Sequence, residues 1–153
     1  MNESETTWLS PIQIMDSSLL SLSFSTHPRC QDEDGALSFT LDVKFDEPEQ
    51  GDEVVFCVGV VKFDGEMVEG DEGEAASAFA ISCALGIAVE VDNRVLRGPL
   101  EDYAGQIKAN ALALAYGKIR AIVENITAQS MLGKQTIPAI NAQAYFGQSE
   151  QNA

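Results

Sequence analysis

From Leu20 to Val91 apolar and polar residues alternate with a period of two, the signature of strands whose side chains point to opposite faces of a sheet. Leu20, Leu22 and Phe24 interleave with Ser21, Ser23 and Ser25, and Leu37, Phe39, Leu41, Val43 and Phe45 interleave with Ser38, Thr40, Asp42, Lys44 and Asp46. Each run predicts a strand with one dry and one wet face. The run from Val54 to Val61 is apolar on both faces apart from Gly59, which predicts a central strand covered on both sides or a strand at a subunit contact. In the fourth run Phe79, Ile81, Cys83, Leu85, Ile87, Val89 and Val91 occupy odd positions, and Ala80, Ser82, Ala84, Gly86, Ala88, Glu90 and Asp92 lie between them. The small residues of that second face, with Gly86 as a point of bending or bulging, leave room for another element to lie close.

Punctuation separates the runs. Gln31–Gly35 and Glu47–Asp52 have hairpin length, and the Gly- and acid-rich stretch Asp64–Glu74 predicts a solvated loop between the third and fourth strands. After Arg97-Gly98-Pro99 the period changes to three and four: Tyr103, Ile107, Asn110, Ala111, Leu114, Ala115, Ile119, Ile122, Val123 and Ile126 predict one long, Ala-rich helix, weakened at Gly105 and Gly117 and stopped at Gly133. Its middle, Ala109–Ala115, is apolar all round, so it is expected to pack on the sheet with one face and on a second subunit with another. Pro138 keeps Ile137 out of the helical region, Ala142–Phe146 predicts a short last helix, and the chain ends in a polar tail. The whole reads as α+β, a four-stranded antiparallel sheet followed by a long helix, a connector and a short helix. One domain results, with an N-terminal extension (1–15), sheet (16–97), helical part (98–147) and tail (148–153).

Charge divides the chain at the same place. Residues 1–97 hold 20 of the 24 acidic residues and five of the nine bases (Arg29, Lys44, Lys62, Arg94, Arg97), whereas 98–153 hold four of each. The formal charge of −15 over 153 residues repels phosphate backbones and anionic lipid, which argues against sequence-independent nucleic-acid binding. The acidic start Met1–Glu5 does not resemble a signal peptide and no stretch is long and apolar enough to span a bilayer, so a soluble cytoplasmic protein without membrane insertion is expected. Cys30, Cys57 and Cys83 form no CxxC pair, and two of them sit in apolar runs, as small buried hydrophobes do.

Catalytic chemistry has little to work with. The single histidine, His27, lies beside Pro28 at a strand end. Asp32-Glu33-Asp34-Gly35 opens like a calcium loop, but the fifth and twelfth positions would be Ala36 and Val43, which carry no ligand oxygen. Phosphate-binding glycine motifs, HExxH and GxSxG are all missing from the sequence. The chain therefore reads as a binder, with no enzymatic activity, metal or cofactor expected.

Two C-terminal segments carry a family resemblance. Ala109-Asn110-Ala111-Leu112-Ala113-Leu114-Ala115-Tyr116-Gly117-Lys118 is similar to the helix segment Pro-Asn-x-Leu-x-Pro-Tyr-Ala-Arg of the SecB protein-export chaperones, keeping Asn110, Leu112 and Tyr116. Thr136–Phe146 is similar to that family's Leu-x-Pro-[IV]-Asn-Phe-x-x-Leu-[FY] ending through Pro138, Ile140, Asn141 and its terminal aromatics. Both helix prolines are replaced, Lys118 stands for the Arg and Ala142 for the Phe, so the chain resembles a divergent member. At the level of residues the likeness covers about 110–146.

The resemblance implies a homotetramer, a dimer of dimers with sheets outside and helices inside. It would hold unfolded polypeptides or preproteins in a translocation-competent state without ATP and pass them to the SecA motor. It implies a client groove among Phe39, Phe56, Phe63, Phe79, Met131, Leu132 and Ile137, with Tyr145 and Phe146 as a flap. Motor-facing acids would be Asp42, Asp46, Glu90 and Asp92, and Val55, Cys57, Asn110, Leu114 and Tyr116 would lie at subunit contacts. The alternatives are a SecB-like protein serving one dedicated partner, antitoxin-associated or phage-encoded, and an acidic mimic of a polyanion acting through Asp64–Glu74.

Overall fold

The computed structural model describes residues 12–26, 36–69, 76–130 and 133–151. Five strands, β1 (Ile12–Thr26), β2 (Ala36–Phe45), β3 (Glu49–Gln50), β4 (Val54–Glu69) and β5 (Ala76–Asp92), are followed by α1 (Ala104–Ala128) and α2 (Ala142–Gln151). The fold is α+β, with one antiparallel sheet of order β1-β5-β4-β2 and the two-residue β3 paired to β4. The doubly apolar run is central, as its pattern predicts, because β4 lies between β5 and β2.

The structure departs from the sequence expectations in four places. Strands β1 and β2 are not a hairpin: they lie at opposite edges, and the chain between them must span three inter-strand spacings, about 14 Å. β1 begins at Ile12, inside the expected extension. Of the expected loop at 64–74, residues 64–69 are strand, since β4 continues to Glu69 with Asp64 and Glu66 on its wet face, and 70–74 lie outside the described residues. Gly65 serves packing there rather than a turn, because a Cβ at this position would stand 2.8 Å from the Phe63 ring. Finally, α1 stops at Ala128, five residues before Gly133, and Gly133 (φ 75°) instead turns the connector that follows.

The odd-numbered residues of β4 and β5 form the dry face. Val55, Cys57, Val61, Phe63, Phe79, Ile81, Cys83, Leu85, Ile87, Val89 and Val91 are all buried, against Ile107, Ala111, Leu112, Ala115, Ile119 and Val123 of α1. Burial raises the Cys83 thiol pKa and, against the opposing pull of Lys108, raises that of Cys57 to about 11, so both stay neutral packing groups. Cys30 lies outside the described residues. Near Cys57, Lys108 is bound to Glu47 at 2.6 Å and ties α1 to the turn after β2.

Candidate functional site

Helix α1 packs most on β5, less on β4 and least on β1. β1 therefore presents its helix-side residues to the same face as the core, with Ile12 and Phe24 at its ends packed against it and the middle left uncovered. Leu19 lies directly opposite Leu85, yet Leu19 is 47% exposed and Leu85 is 3% exposed. Ile14 and Leu22, opposite Val89 and Cys83, are likewise exposed.

A cavity lies at each end of this uncovered strip. One, of about 290 Å³, is lined by Ile12, Val91, Val95, Leu96, Tyr103 and Ile107 with Gln106 and Asn110; the other, of about 400 Å³, by Phe24, Thr26, Ile126, Gln129 and Ser130. Steps of four along α1 join them, from Asn110 through Leu114, Lys118 and Ile122 to Ile126. Residues so spaced share one side of a helix, and the three apolar ones are half-buried. The result is a trough about 24 Å long between β1 and α1, by the rise per helical residue. Among the described residues β1 pairs with β5 alone among the strands, so the trough is bordered by an edge strand of the sheet.

A second apolar region lies on the opposite face. Phe56, Val58 and Val60 are 37–50% exposed, and Leu20, at a β-bulge of β1, lies over Gly86. The small face of β5 thus receives a side chain of the neighbouring strand. Around this stripe stand Lys44, Lys62, Asp16, Asp42 and Glu90.

The sequence-derived candidates divide sharply. Phe63, Phe79 and Ile137 are 0–2% exposed and belong to the core, as do Val55, Cys57 and Tyr116. These six are enclosed by the chain's own helices and strands and are not available at its surface. Phe39 is half-buried and stacks on Phe63 with ring centroids 5.4 Å apart, Phe56 faces outward, and Tyr145 and Phe146 are half-buried, Phe146 lying 6.4 Å from Phe45. Met131 and Leu132 lie outside the described residues. Asn110 is exposed and Leu114 half-buried. Asp42 and Asp46 are exposed, and Glu90 is partly so. Asp92 instead caps the turn Asn93–Val95 and pairs with Arg94 at 2.6 Å, and these hydrogen bonds hold its carboxyl below the usual range. Sequence reasoning missed Ile14, Leu19 and Leu22 as a group.

No family model matches the chain, and no curated protein matches its sequence. Among solved structures, a SecB-like chaperone of Mycobacterium tuberculosis in complex with a ChAD peptide from an antitoxin aligns with TM-score 0.51 and 18% identity, over 84% of this chain and 90% of that one. The fold is SecB-like. A Streptococcus agalactiae protein of unknown function shares it with TM-score 0.54 and 13% identity, over 83% of this chain and 96% of the other.

In this SecB-like fold the two segments of the family resemblance meet. The Tyr116 hydroxyl donates to the Pro138 carbonyl, and Arg120 Nε donates to the Ile137 carbonyl at 3.1 Å. Asn141 accepts from the Ala144 amide at 3.0 Å and so caps α2. Tyr116, Pro138 and Asn141 thus brace the connector and start the last helix. No helix of the described residues is long and apolar enough to cross a membrane.

Proposed function

We propose that this chain is a holding chaperone that binds unfolded polypeptide in the trough between β1 and α1, without ATP. The observation that carries this reading is the apolar row Ile14, Leu19 and Leu22 on a strand that lies at the edge of the sheet among the described residues. An extended client can add to that edge by backbone hydrogen bonds, which make no demand on its sequence, while its alternate side chains meet the apolar row. A trough of about 24 Å suits about seven extended residues. The charge of −15 steers basic stretches of clients toward the protein.

Met131 and Leu132, which follow the second cavity in sequence, extend the client surface in this proposal, and Phe39, Phe56, Tyr145 and Phe146 are its secondary contacts. Copies of the chain assemble through the exposed small residues Asn110, Ala113, Gly117 and Ala121 of α1, as a dimer of dimers, and the wet-face acids Asp42, Asp46 and Glu90 face the SecA motor. A second reading, service to one dedicated partner, is favoured by the antitoxin peptide held by the mycobacterial neighbour.

Light scattering of an aggregating client tests the proposal. The double variant Leu19→Asp, Leu22→Asp is expected to lose suppression of aggregation while keeping its melting temperature. Full activity in the folded variant would contradict the assignment of the trough. Suppression limited to one protein among several clients would favour the dedicated-partner reading.

A further inference from the structure

The trough between β1 and α1 differs in charge from the rest of the molecule. The chain carries −15 and 20 of its 24 acidic residues lie in the sheet half, with Asp16, Asp42 and Glu90 on the face of the sheet away from the helix. Along the trough, no acidic side chain stands among the described residues. The helix-side row of β1 is uncharged, both end cavities are lined by uncharged residues, and the facing side of α1 carries one charge, Lys118. This lysine is exposed, and none of the ion pairs among the described residues involves it. The single acid of α1, Glu124, is paired with Lys134 and lies about a third of a turn around the helix from Lys118.

The position of Lys118 is central. Ile12 shares one cavity with Asn110, and Phe24 shares the other with Ile126, so strand and helix run side by side. Lys118 is halfway between Asn110 and Ile126, and Ser17 and Leu19 lie near the middle of Ile12–Phe24. Ser17 is half-buried and lies opposite the buried Ile87, which puts its hydroxyl on the helix side. The middle of an otherwise apolar trough thus holds an ammonium and a hydroxyl, both able to donate hydrogen bonds.

We propose that the trough selects extended segments with an Asp or Glu side chain at their centre and apolar residues on either side. This inference rests on the chaperone reading of the trough and names the client chemistry that it favours. The carboxylate accepts from the Lys118 ammonium and the Ser17 hydroxyl in a charge-assisted contact, while the lysine stem lies along the apolar wall. A central Lys or Arg meets a like charge there, and an all-apolar segment covers the ammonium without pairing it. Long-range field and contact surface therefore select differently. The field draws basic stretches toward the protein, and the trough takes an acid at its middle.

Three seven-residue apolar peptides, identical but for a central Glu, Gln or Lys and kept soluble by Gly-Ser tails, test this by fluorescence anisotropy in about 0.3 M salt, where the long-range field is screened. The Glu peptide is expected to bind about five- to tenfold more tightly than the Gln peptide, and the Lys peptide most weakly. In Lys118→Ala, a change that suits a helix, the Glu and Gln peptides are expected to bind alike. Lys118→Arg is expected to keep the preference and Lys118→Glu to turn it toward the Lys peptide. Equal binding of the Glu and Gln peptides by the unaltered protein, or a Glu preference that survives Lys118→Ala, would overturn the inference; loss of all three peptides in Leu19→Asp, Leu22→Asp would then leave the trough reading standing. Failure of every peptide to bind, or binding that survives this double variant, would overturn the trough reading and the inference with it.

Discussion

The two leucines at Leu19 and Leu85 face each other across adjacent strands on one side of one sheet, yet one is half in solvent and the other is sealed. Alternation of apolar and polar residues says that a face needs cover; it does not say what supplies the cover. For β5 the cover is α1. For β1 the core covers only the ends, Ile12 and Phe24, and leaves Ile14, Leu19 and Leu22 exposed; this difference distinguishes the part of the sheet that holds the fold from the part available to another chain.

The sharpest test of this difference is the pair Leu85→Ala and Leu19→Ala, compared by urea unfolding. Leu85→Ala opens a cavity under α1 and is expected to destabilise by about 2–5 kcal/mol. Leu19→Ala removes exposed surface and is expected to change stability by less than about 1 kcal/mol. Equal losses would show that the isolated chain already covers β1.

A second pair compares two glycines. At Gly59 a Cβ would meet the Phe45 ring at 2.1 Å, so Gly59→Ala must displace Phe45 from its place beside Phe146, at an expected cost of about 1–3 kcal/mol. At Gly86 the nearest atoms are 3.6–3.7 Å away, on Leu20. Gly86→Ala is therefore expected to be neutral or to stabilise by up to about 1 kcal/mol through the unfolded chain. Thermal melts of both variants decide it.

Much of this architecture is legible in the sequence. The fourth run predicts β5 through seven consecutive matches, and the doubly apolar run predicts a central strand. β1 was legible only from Leu20 onward because two bulges, at Met15 and Leu20, each reverse its parity. Its helix-side residues are Ile12 and Ile14, then Ser17 and Leu19, then Leu22 and Phe24, a row that no single period of two reveals. The uncovered strip therefore leaves no periodic signal in the sequence, whereas the phenylalanines stand in regular alternation. Their size is what places Phe63 and Phe79 in the core. Strand order was hidden for a different reason, since a nine-residue connection suits a hairpin and a crossing of the sheet end equally well.

Smaller effects test the brace and the buried thiols. Tyr116→Phe removes the hydroxyl bound to the Pro138 carbonyl and is expected to destabilise by about 0.5–1.5 kcal/mol, with faster hydrogen exchange in the connector 133–140. Burial raises the Cys57 pKa to about 11 in the folded chain. The unfolded thiol loses its proton first, so this contribution is intact below the unfolded pKa and falls away as pH rises through the folded value. Urea midpoints are expected to decline from about pH 9 to pH 11, and a Cys57→Ala variant to decline less; equal slopes would mean the thiol is solvated.

The central claim is that the edge and apolar row of β1 receive an extended chain. Hydrogen–deuterium exchange of the protein with and without an unfolded client measures this directly. The account predicts protection concentrated in residues 12–26 and in the facing part of α1. Protection confined to β2 and the outer residues Phe56, Val58 and Val60, with β1 unchanged, would contradict it.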